Sequence, residues 1–368
     1  MPAPSSLKNC ARLGGVLTAP GGGGGGGGVI LQSVSHDVYE NLAVEDWVHD
    51  HANLEGRPVL FVWRNSPSVV IGRHQNPWQE CDLRLLRARG VRLARRKSGG
   101  GAVFHDLGNV NLTFFTTRGE HDRRGNLDLV ARALRSLQPR LDVAATARLD
   151  LVLDGGFKVS GTASRVGRAA AYHHCTLLCG TDAALLAAAL RGPAAGLAGR
   201  ATRSVPASVK NLREADPALT WERVAGAVAA HFAAARRARP AVLPVDPADE
   251  AAFPGLARRA AELRSWDWVF GRSPPFSLRA CLDVPAGGAA PLRVGVALDV
   301  RAGRIRACRL DVPDGWLPGD ACDRLGAGLA GRRFRPGDAA APPLPLGPRD
   351  PEGRRRWRLL CEALETLM

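Results

Sequence analysis

Lysine is scarce in this sequence of 368 residues. Only Lys8, Lys97, Lys158 and Lys210 occur among 50 basic residues, and all the others are arginine. Residues 212–368 contain no lysine, asparagine, glutamine or tyrosine, whereas glycine, alanine, arginine and proline abound. We infer a drift towards residues with GC-rich codons, so the net charge of +15 is partly compositional. Because lysine is a compact point charge and arginine a wide planar fork, each surviving lysine is a candidate for a role that arginine cannot fill.

Long apolar runs and paired cysteine motifs are missing. No stretch of about 18 apolar residues occurs, so we expect no membrane span. The eight cysteines are scattered without a CxxC pair, which predicts free thiols in a reducing compartment and no metal site. Aromatic residues make up only 5% of the chain, and no nucleic-acid-binding motif accompanies the basic stretch 354–358 (RRRWR). A nucleic-acid-binding module therefore stays a weak alternative, and we expect no nucleic-acid partner.

Acidic residues are absent from the first 36 positions, which include a run of eight glycines at 21–28. An acid-poor segment with serine and basic residues resembles a mitochondrial transit peptide. A disordered low-complexity tail is the alternative. Under either interpretation, we expect residues 1–36 to lie outside the fold.

The remaining chain interleaves helical and strand-like patterns. Two hairpins are predicted, one over 58–71 around Asn65-Ser66-Pro67 and one over 102–116 around Leu107-Gly108-Asn109. Helix ends are expected at Gly90, at Thr181 or Asp182, and at Thr220. This pattern favours an α+β fold with an antiparallel or mixed sheet. We expect a large domain over 37–238, a proline-containing linker over 239–250 and a smaller α+β domain over 251–368.

The stretch 95–109 reads RRKSGGGAVFHDLGN and places three glycines after three cations. Successive glycine N–H groups form a concavity that binds anions, and nearby cations add attraction, so phosphate is the expected guest. The stretch is neither a Walker A loop nor a GxGxxG fingerprint. A flexible turn beside a solvated charge run is the alternative.

Several segments extend this signal. The run ARRKSGGGAVFHDLGNVNLTFF resembles the signature of the lipoate–protein ligase and lipoyltransferase family. Further segments resemble that family in its own order: IGRHQNPWQE (71–80), FKVSGTASR (157–165), YHHCTLL (172–178), SVPASVKNL (204–212) and SWDWVFGRSPPF (265–276). The resemblance covers about residues 38–310. Within the family, HHCTLL and SVKNL are most similar to the mitochondrial lipoyltransferase branch of animals.

The resemblance implies a catalytic domain over 37–238 that is related to biotin protein ligases and class II aminoacyl-tRNA synthetases, with a smaller C-terminal accessory domain. It implies a bound lipoyl-adenylate, bent into a U, whose acyl group passes to a specific lysine of an acceptor protein. The positions that match family contacts to the adenylate are Arg96, Gly99, Gly100, Gly101, Ala102, Val103, Phe104, Arg148, Lys158, Thr176, Val205 and Ala207. The lipoyl chain needs an apolar slot, for which Trp63, Val70, Gly72 and His74 are candidates. His105 fits either the site or an ordinary core position.

Lys158 is the predicted catalytic cation. An acyl-adenylate is a mixed anhydride and already activated, so no covalent nucleophile is required. The enzyme needs cations at the phosphate and at the carbonyl oxygen, where preorganised donors are typically worth about 3–4 kcal/mol each. Lys158 lies in the strand-like FKVSG, where Ser160 and Gly161 leave room for a substrate, and its family counterpart contacts both groups.

Two departures from the family pattern bear on the donor. Ligases that make their own adenylate tend to carry Asn-Asp where this chain has Leu149-Asp150, which favours a transferase with a preformed donor. Gly156-Phe157 replaces a pair that often ends in arginine, which puts a second cation near the phosphate in doubt. A complete ligase that uses ATP and Mg is the alternative. A third hypothesis is a cysteine acyl-enzyme at Cys175, although ligases with the same run have glycine there.

The resemblance also implies partners and location. Lipoyl domains of 2-oxoacid dehydrogenase complexes are the expected acceptors, and the glycine cleavage H protein is a possible donor or acceptor. We expect no tightly bound cofactor, with lipoyl-AMP as substrate or intermediate. Because lipoyl domains tend to be acidic, a basic face would steer them. The expected location is the mitochondrial matrix, and the expected state is a monomer.

Overall fold

The computed structural model describes residues 7–19, 27–192, 196–238, 241–285, 291–318, 320–337 and 350–368. Residues 21–26 of the glycine run and 239–240 of the predicted linker lie outside this described part. The chain divides into two compact units. The first comprises Met1–Arg73, Cys81–Arg191 and Ser204–Ser265, and the second comprises His74–Glu80, Gly192–Arg203 and Trp266–Met368.

The described residues form helices and strands that alternate along the chain. The helices are α1 (Leu7–Thr18), α2 (Val38–His51), α3 (Pro77–Glu80), α4 (Leu83–Ala88), α5 (Arg123–Leu137), α6 (Ala183–Ala189), α7 (Leu212–Ala215), α8 (Trp221–Arg236), α9 (Leu256–Arg264), α10 (Trp266–Val269), α11 (Ala321–Leu329) and α12 (Pro351–Glu365), with a 3-10 turn at Arg118–Glu120. The strands are β1 (Val29–Ser33), β2 (Val59–Trp63), β3 (Ser68–Ile71), β4 (Arg92–Arg95), β5 (Val103–His105), β6 (Asn109–Thr117), β7 (Val143–Ala145), β8 (Leu151–Leu153), β9 (Phe157–Ser160), β10 (Thr162–Val166), β11 (Ala170–Leu178), β12 (Leu197–Gly199), β13 (Val242–Val245), β14 (Phe276–Val284), β15 (Leu292–Arg301) and β16 (Arg304–Asp311). The predicted α+β class is confirmed.

A six-stranded mixed sheet forms the centre of the first unit, in the order β10-β11-β6-β2-β1-β13. Strands β2, β1 and β13 run parallel, whereas β10, β11, β6 and β2 pair antiparallel. Every residue of β2 is buried, as expected of a central strand that is covered on both faces. Helices α5 and α8 pack on the sheet, and their apolar residues join those of β2, β6 and β11 in one core.

Helix capping follows the expected chemistry. Asp182 begins α6 by accepting a hydrogen bond from the Leu185 N–H, and Thr220 begins α8 by accepting one from the Arg223 N–H. Gly90 adopts a φ of +63° just after α4, a conformation that glycine takes at little cost. These helix ends were predicted from the sequence, and the structure confirms them.

Two small sheets carry the predicted motifs. The first has the order β4-β3-β5, and the glycine loop connects β4 to β5. The second has the order β7-β8-β9, and β9 contains Lys158. Both motifs therefore adjoin short strands of small sheets within the first unit.

Both predicted hairpins are wrong. Strand β2 pairs with β1 and β6 in the central sheet, whereas β3 pairs with β4 and β5 in a small one. Likewise, β5 pairs with β3, and β6 pairs with β2 and β11. Asn65 does not serve a two-strand turn, because its side chain bonds to Asn41 and His105 in the protein interior. Strands β2 and β3 are buried on both faces and lack the polar alternation that would indicate their partners, so tertiary packing selects the pairing.

The N-terminal segment and the linker also differ from expectation. Strand β1 lies inside the central sheet, and Leu13 and Leu17 of α1 are buried. Residues 29–33 were therefore wrongly placed outside the fold. Residues 242–245, expected in a linker, form β13 and pair with β1, and the first unit extends to Ser265.

The second unit has its own four-stranded antiparallel sheet, in the order β12-β14-β15-β16. Helix α11 packs on β16, and α12 packs on β14. An aromatic cluster within this unit surrounds Trp78, whose ring lies 5.1–5.4 Å from the rings of Phe270, Phe276 and Phe334. None of the helices in the described part of the chain is long and apolar enough to cross a membrane.

Candidate active site

Hydrogen bonds from the Arg96 guanidinium hold the glycine loop in place. Its Nη2 donates to the carbonyl oxygens of Gly99 and Gly101 at 2.6 and 2.7 Å. Its Nη1 donates to the Val70 carbonyl at 3.0 Å, and its Nε donates to Ser98 Oγ at 2.9 Å. Arg96 is thus bonded to protein atoms through all three of its nitrogens.

Burial governs the electrostatics of Arg96. The side chain is 3% exposed, and desolvation lowers the pKa of its guanidinium to about 10, partly offset by Tyr172 and Glu45. The group therefore stays charged at neutral pH. Sequence reasoning assigned Arg96 to the adenylate, and the observed bonds indicate that it shapes the loop that would hold the adenylate.

Gly72 and Gly100 explain why the loop needs glycine. Gly100 has a φ of +86°, which L-residues with side chains rarely adopt. A Cβ on Gly72 would lie 2.1 Å from the Gly100 carbonyl oxygen, so the two backbones pack directly on each other. Gly72, predicted to line the lipoyl slot, instead supports the loop through close backbone approach.

Residues 204–210 join the glycine loop to the lysine strand. The Ala102 N–H donates to Ser204 Oγ at 2.8 Å. Four residues after Ser204, the Ser208 carbonyl accepts from the Lys158 N–H at 2.8 Å, and the Lys210 N–H donates to the Lys158 carbonyl at 3.1 Å. This segment contains the predicted residues Val205 and Ala207, both exposed. Three sequence-distant motifs thus meet in one place.

The ammonium of Lys158 is paired with an acid. Its Nζ lies 2.9 Å from Asp150 Oδ1, and both side chains are partly exposed. Gly161 follows the strand, and its carbonyl accepts a hydrogen bond from the Thr176 N–H at 3.0 Å, while the Gly161 N–H donates to Thr176 Oγ1 at 3.0 Å. A Cβ on Gly161 would lie 3.3 Å from Val103 and 3.8 Å from Lys158 Cε. Lys158, Thr176 and Val103 therefore surround Gly161, and a side chain there would make a tight contact with Val103.

A narrow cavity opens beside these residues. Five predicted positions line it: Trp63, Val70, Arg96, Val103 and Thr176. The indole Nε1 of Trp63 donates to Thr113 Oγ1 at 3.0 Å, which fixes the ring that forms one wall. The structure thus brings two of the four predicted lipoyl-slot residues to the same cavity as the predicted adenylate contacts.

A buried polar chain behind the cavity was missed by sequence reasoning. His174 Nδ1 lies 2.8 Å from Glu45 Oε1, and its Nε2 lies 3.1 Å from Ser98 Oγ. Thr113 Oγ1 also donates to Glu45 at 2.8 Å. Hydrogen bonds and the charge of His174 lower the pKa of Glu45 against the opposing effect of burial. Two adjacent acidic residues, Glu45 and Asp46, inside the otherwise apolar run LAVEDWV were the available signal.

His105 lies in the cavity wall rather than in an isolated core position. Its Nδ1 accepts a hydrogen bond from the Asn65 side chain at 2.9 Å, and its ring meets Trp63 edge-on. Burial, followed by the charges of Arg96 and His174, lowers the pKa of His105 to about 3. The imidazole is therefore neutral at physiological pH.

Cys175 is a poor nucleophile in this fold. The thiol is buried in the main core, and desolvation raises its pKa to about 12. A nucleophilic cysteine requires the thiolate, which is favoured in electropositive, partly exposed sites. The acyl-enzyme hypothesis is therefore disfavoured.

The remaining predicted residues occupy other surroundings. The Phe104 side chain is buried in a small apolar core with Val69 and Leu86, so only its backbone can face a ligand. Arg148 is exposed in the turn that leads to Asp150. His74 belongs to the second unit, where its carbonyl accepts from Thr202. The site groups these residues less tightly than the sequence suggested.

A comparison with known families identifies the class of protein. Residues 37–233 match the family model described as the lipoyl protein ligase A/B catalytic domain. The match spans the glycine loop, Lys158 and most of the central sheet. The chain therefore belongs to this family.

Similar proteins narrow the class further. The chain is 50% identical over 371 residues to the mitochondrial lipoyl amidotransferase of Mus musculus, covering 99% of both chains. The structure of P. falciparum LipL1 in complex with lipoate superposes with a TM-score of 0.60 at 24% identity, over 84% of this chain and 91% of that one. A bipartite lipoate protein ligase with its E2 lipoyl domain from Thermoplasma acidophilum gives 0.53 at 23% identity, over 67% and 96%. The chain is an acyltransferase that belongs to the enzymes of lipoyl transfer. The two solved structures share its fold.

Proposed function

We propose that the protein transfers a lipoyl group from an activated donor to a specific lysine of a lipoyl domain and so forms an amide. The donor is lipoyl-AMP or a lipoylated carrier such as the glycine cleavage H protein. The acceptors are lipoyl domains of 2-oxoacid dehydrogenase acyltransferase subunits. The observation that carries the proposal is the joining of the glycine loop and the Lys158 strand by residues 204–210, in a chain half identical to a lipoyl amidotransferase.

The chemistry requires stabilisation of negative charge. The acceptor amine attacks the acyl carbon of the mixed anhydride, a C–N bond forms, and the C–O bond to phosphate breaks. AMP leaves with the electron pair, and the neutral amine that attacked loses one proton to solvent, so that the amide nitrogen keeps one hydrogen. Lys158 Nζ supports the developing charge on the carbonyl oxygen and on the phosphate, while the glycine-loop N–H groups hold the phosphate.

Leu149 bears on whether the protein activates lipoate itself or uses a donor that another enzyme has activated. This residue adopts a φ of +63°, a left-handed conformation in which asparagine is several-fold enriched and leucine rare. Its carbonyl accepts from Thr162 Oγ1 at 2.7 Å, which fixes the turn that precedes Asp150. An asparagine here would add an amide beside the Asp150 carboxylate. Its absence supports a transferase that depends on another enzyme for activation.

The test is single-turnover transfer to an apo lipoyl domain, followed by intact mass. One reaction receives lipoyl-AMP, and the other receives lipoate with Mg-ATP. We expect modification from lipoyl-AMP alone, and partial gain of ATP-dependent activity in Leu149→Asn. Equal rates from both donors would identify a complete ligase instead, and no modification from either would refute lipoyl-AMP as donor. A third reaction with lipoylated H protein as donor covers the carrier alternative.

We further propose residence in the mitochondrial matrix. The related amidotransferase is named mitochondrial, and residues 1–36 carry no acidic side chain. Protease protection in isolated mitochondria, with and without rupture of the inner membrane, tests this. Digestion before the inner membrane is ruptured would contradict it.

A further inference from the structure

A cluster of nitrogen-rich side chains lies at the start of α5. Asp122 is the N-cap of this 15-residue helix, with His121 immediately before it and Arg123 as its first residue. His173 of β11 faces the same helical turn, because its Nδ1 lies 3.5 Å from the Asn126 side-chain amide. Two chain segments thus bring two imidazoles and one guanidinium together.

Several nitrogens of this cluster are buried without a partner among the described residues. They are Nδ1 and Nε2 of His121, Nε of Arg123 and Nε2 of His173. The His173 side chain is fully buried. A buried polar atom left without a hydrogen bond costs about 1–3 kcal/mol, so such atoms are usually satisfied by a bound group. Because a neutral imidazole has one N–H, these four nitrogens offer about three donors, which indicates a guest with several hydrogen-bond acceptors.

Arg123 supplies the positive charge of the cluster. Burial, then Arg123, His174 and His121, hold the pKa of His173 well below its usual range, so this imidazole is neutral and contributes a hydrogen-bond donor rather than a charge. Two carboxylates near the cluster have partners of their own, although Asp150 also interacts with Arg123. Asp122 Oδ1 accepts from the Gly125 N–H at 2.9 Å, and Asp150 pairs with Lys158. The N-terminus of α5 adds the favourable end of a helix dipole.

We propose that His121, Arg123 and His173 form a phosphate-binding site at the N-terminus of α5. Phosphate offers acceptor oxygens in several directions, which suits an arginine edge and two imidazole nitrogens. The site is distinct from the glycine loop, where Arg96 is bonded to carbonyl oxygens. Arg123 Nη2 also donates to Thr162 Oγ1 at 3.1 Å, and Thr162 in turn donates to the Leu149 carbonyl. A bound phosphate would therefore lie one hydrogen-bonded turn away from the Asp150–Lys158 pair.

The same chemistry has two sources, free inorganic phosphate and the phosphate of a nucleotide. Isothermal titration calorimetry on the full chain, at constant ionic strength and without lipoyl donor or acceptor, separates them with inorganic phosphate in one arm and AMP in the other. We expect saturable binding of phosphate that weakens at least tenfold in His121→Ala. His231→Ala is the matched control, because that histidine lies on α8 beside Ser136. Its affinity is expected to equal that of the unmodified protein.

The arms distinguish the outcomes. AMP that competes with phosphate and weakens in His121→Ala assigns the site to a nucleotide, and binding of phosphate alone assigns it to the free ion. Equal affinity in His121→Ala and the unmodified protein, or no saturable binding of either probe, overturns the proposal. Because His121→Ala can affect folding, Arg123→Lys is tested beside it, with histidine NMR as the second readout. Phosphate is expected to move the His121 and His173 resonances, and movement of other histidines alone would also overturn the site.

Discussion

The ammonium of Lys158 lies 2.9 Å from the carboxylate of Asp150. The acid orients the lysine side chain, which is partly exposed. A phosphate arriving at Nζ must share or displace this partner. The pair therefore prepares a cation for an anionic substrate.

Removal of the Lys158 ammonium should abolish most lipoyl transfer. Lys158→Ala is expected to slow single-turnover transfer from lipoyl-AMP by about 10²–10³-fold, because one preorganised donor in an acyl-transfer site is worth about 3–4 kcal/mol. Lys158→Arg should also be slow, since a planar fork does not replace a point charge. The control is Lys210→Ala, whose ammonium pairs with Asp154. Normal transfer by Lys158→Ala would refute the central assignment.

A side chain at Gly72 should disturb the glycine loop. In Gly72→Ala the new Cβ would lie 2.1 Å from the Gly100 carbonyl oxygen, and backbone must shift to relieve the overlap. Overpacking of this kind typically costs about 1–3 kcal/mol of unfolding free energy. Gly99→Ala is the matched control, because a Cβ there meets nothing within 4 Å. Chemical denaturation measures both, and equal stability of the two variants would contradict the close approach.

His105 should make the fold sensitive to acid. Its pKa is about 3 in the folded protein, below the ordinary value near 6.5, so the folded state binds the proton more weakly than the unfolded state does. Its contribution is complete above pH 6.5 and is lost as the pH falls from 6.5 towards 3. His105→Gln should flatten the fall in unfolding free energy across this range by up to about 1.4 kcal/mol per pH unit.

Urea unfolding between pH 7 and pH 4 measures the His105 effect. The other buried histidines remain in both proteins, so the difference between the two curves isolates His105. His231→Gln serves as the control on the surface of α8. Parallel curves for His105→Gln and the unmodified protein would show that His105 does not carry the effect.

Cys175 should be dispensable. Burial raises the pKa of its thiol to about 12, so a negligible fraction is thiolate at neutral pH. Cys175→Ala is expected to transfer the lipoyl group within about threefold of the normal rate, after correction for any loss of folded protein caused by the smaller core side chain. A mass increment of one lipoyl group on the enzyme itself, absent in the variant, would revive the acyl-enzyme mechanism.

Association with an acidic lipoyl domain should depend strongly on salt. The net charge of +15 would steer a negatively charged partner, and screening above about 0.1 M shortens the reach of that attraction to about 10 Å. Stopped-flow association rates should therefore fall steeply as salt rises, with a smaller change in dissociation. A flat dependence of the association rate would remove steering from the mechanism.

The motifs of the site could be recognised in the sequence because each consists of residues that are close together in the chain. Three glycines after a basic cluster, and a lone lysine in FKVSG, predict anion binding without any knowledge of the fold. Helix ends at Asp182 and Thr220 were equally legible, because a cap is a contact between residues three apart. For such residues, the neighbouring sequence is enough to predict the local structure.

Strand pairing could not be predicted from the sequence. The sequence also did not show which residues of the site face a ligand and which support other residues. β2 and β3 are buried throughout, so nothing in them distinguishes a hairpin from membership of two sheets. Likewise, Arg96 looked like a phosphate ligand until its bonds to Val70, Gly99 and Gly101 were seen. The sequence alone specifies which groups can bind an activated acyl phosphate. Long-range packing settles which of them face the ligand and which hold the others in place, because burial and pairing depend on residues far away in the chain.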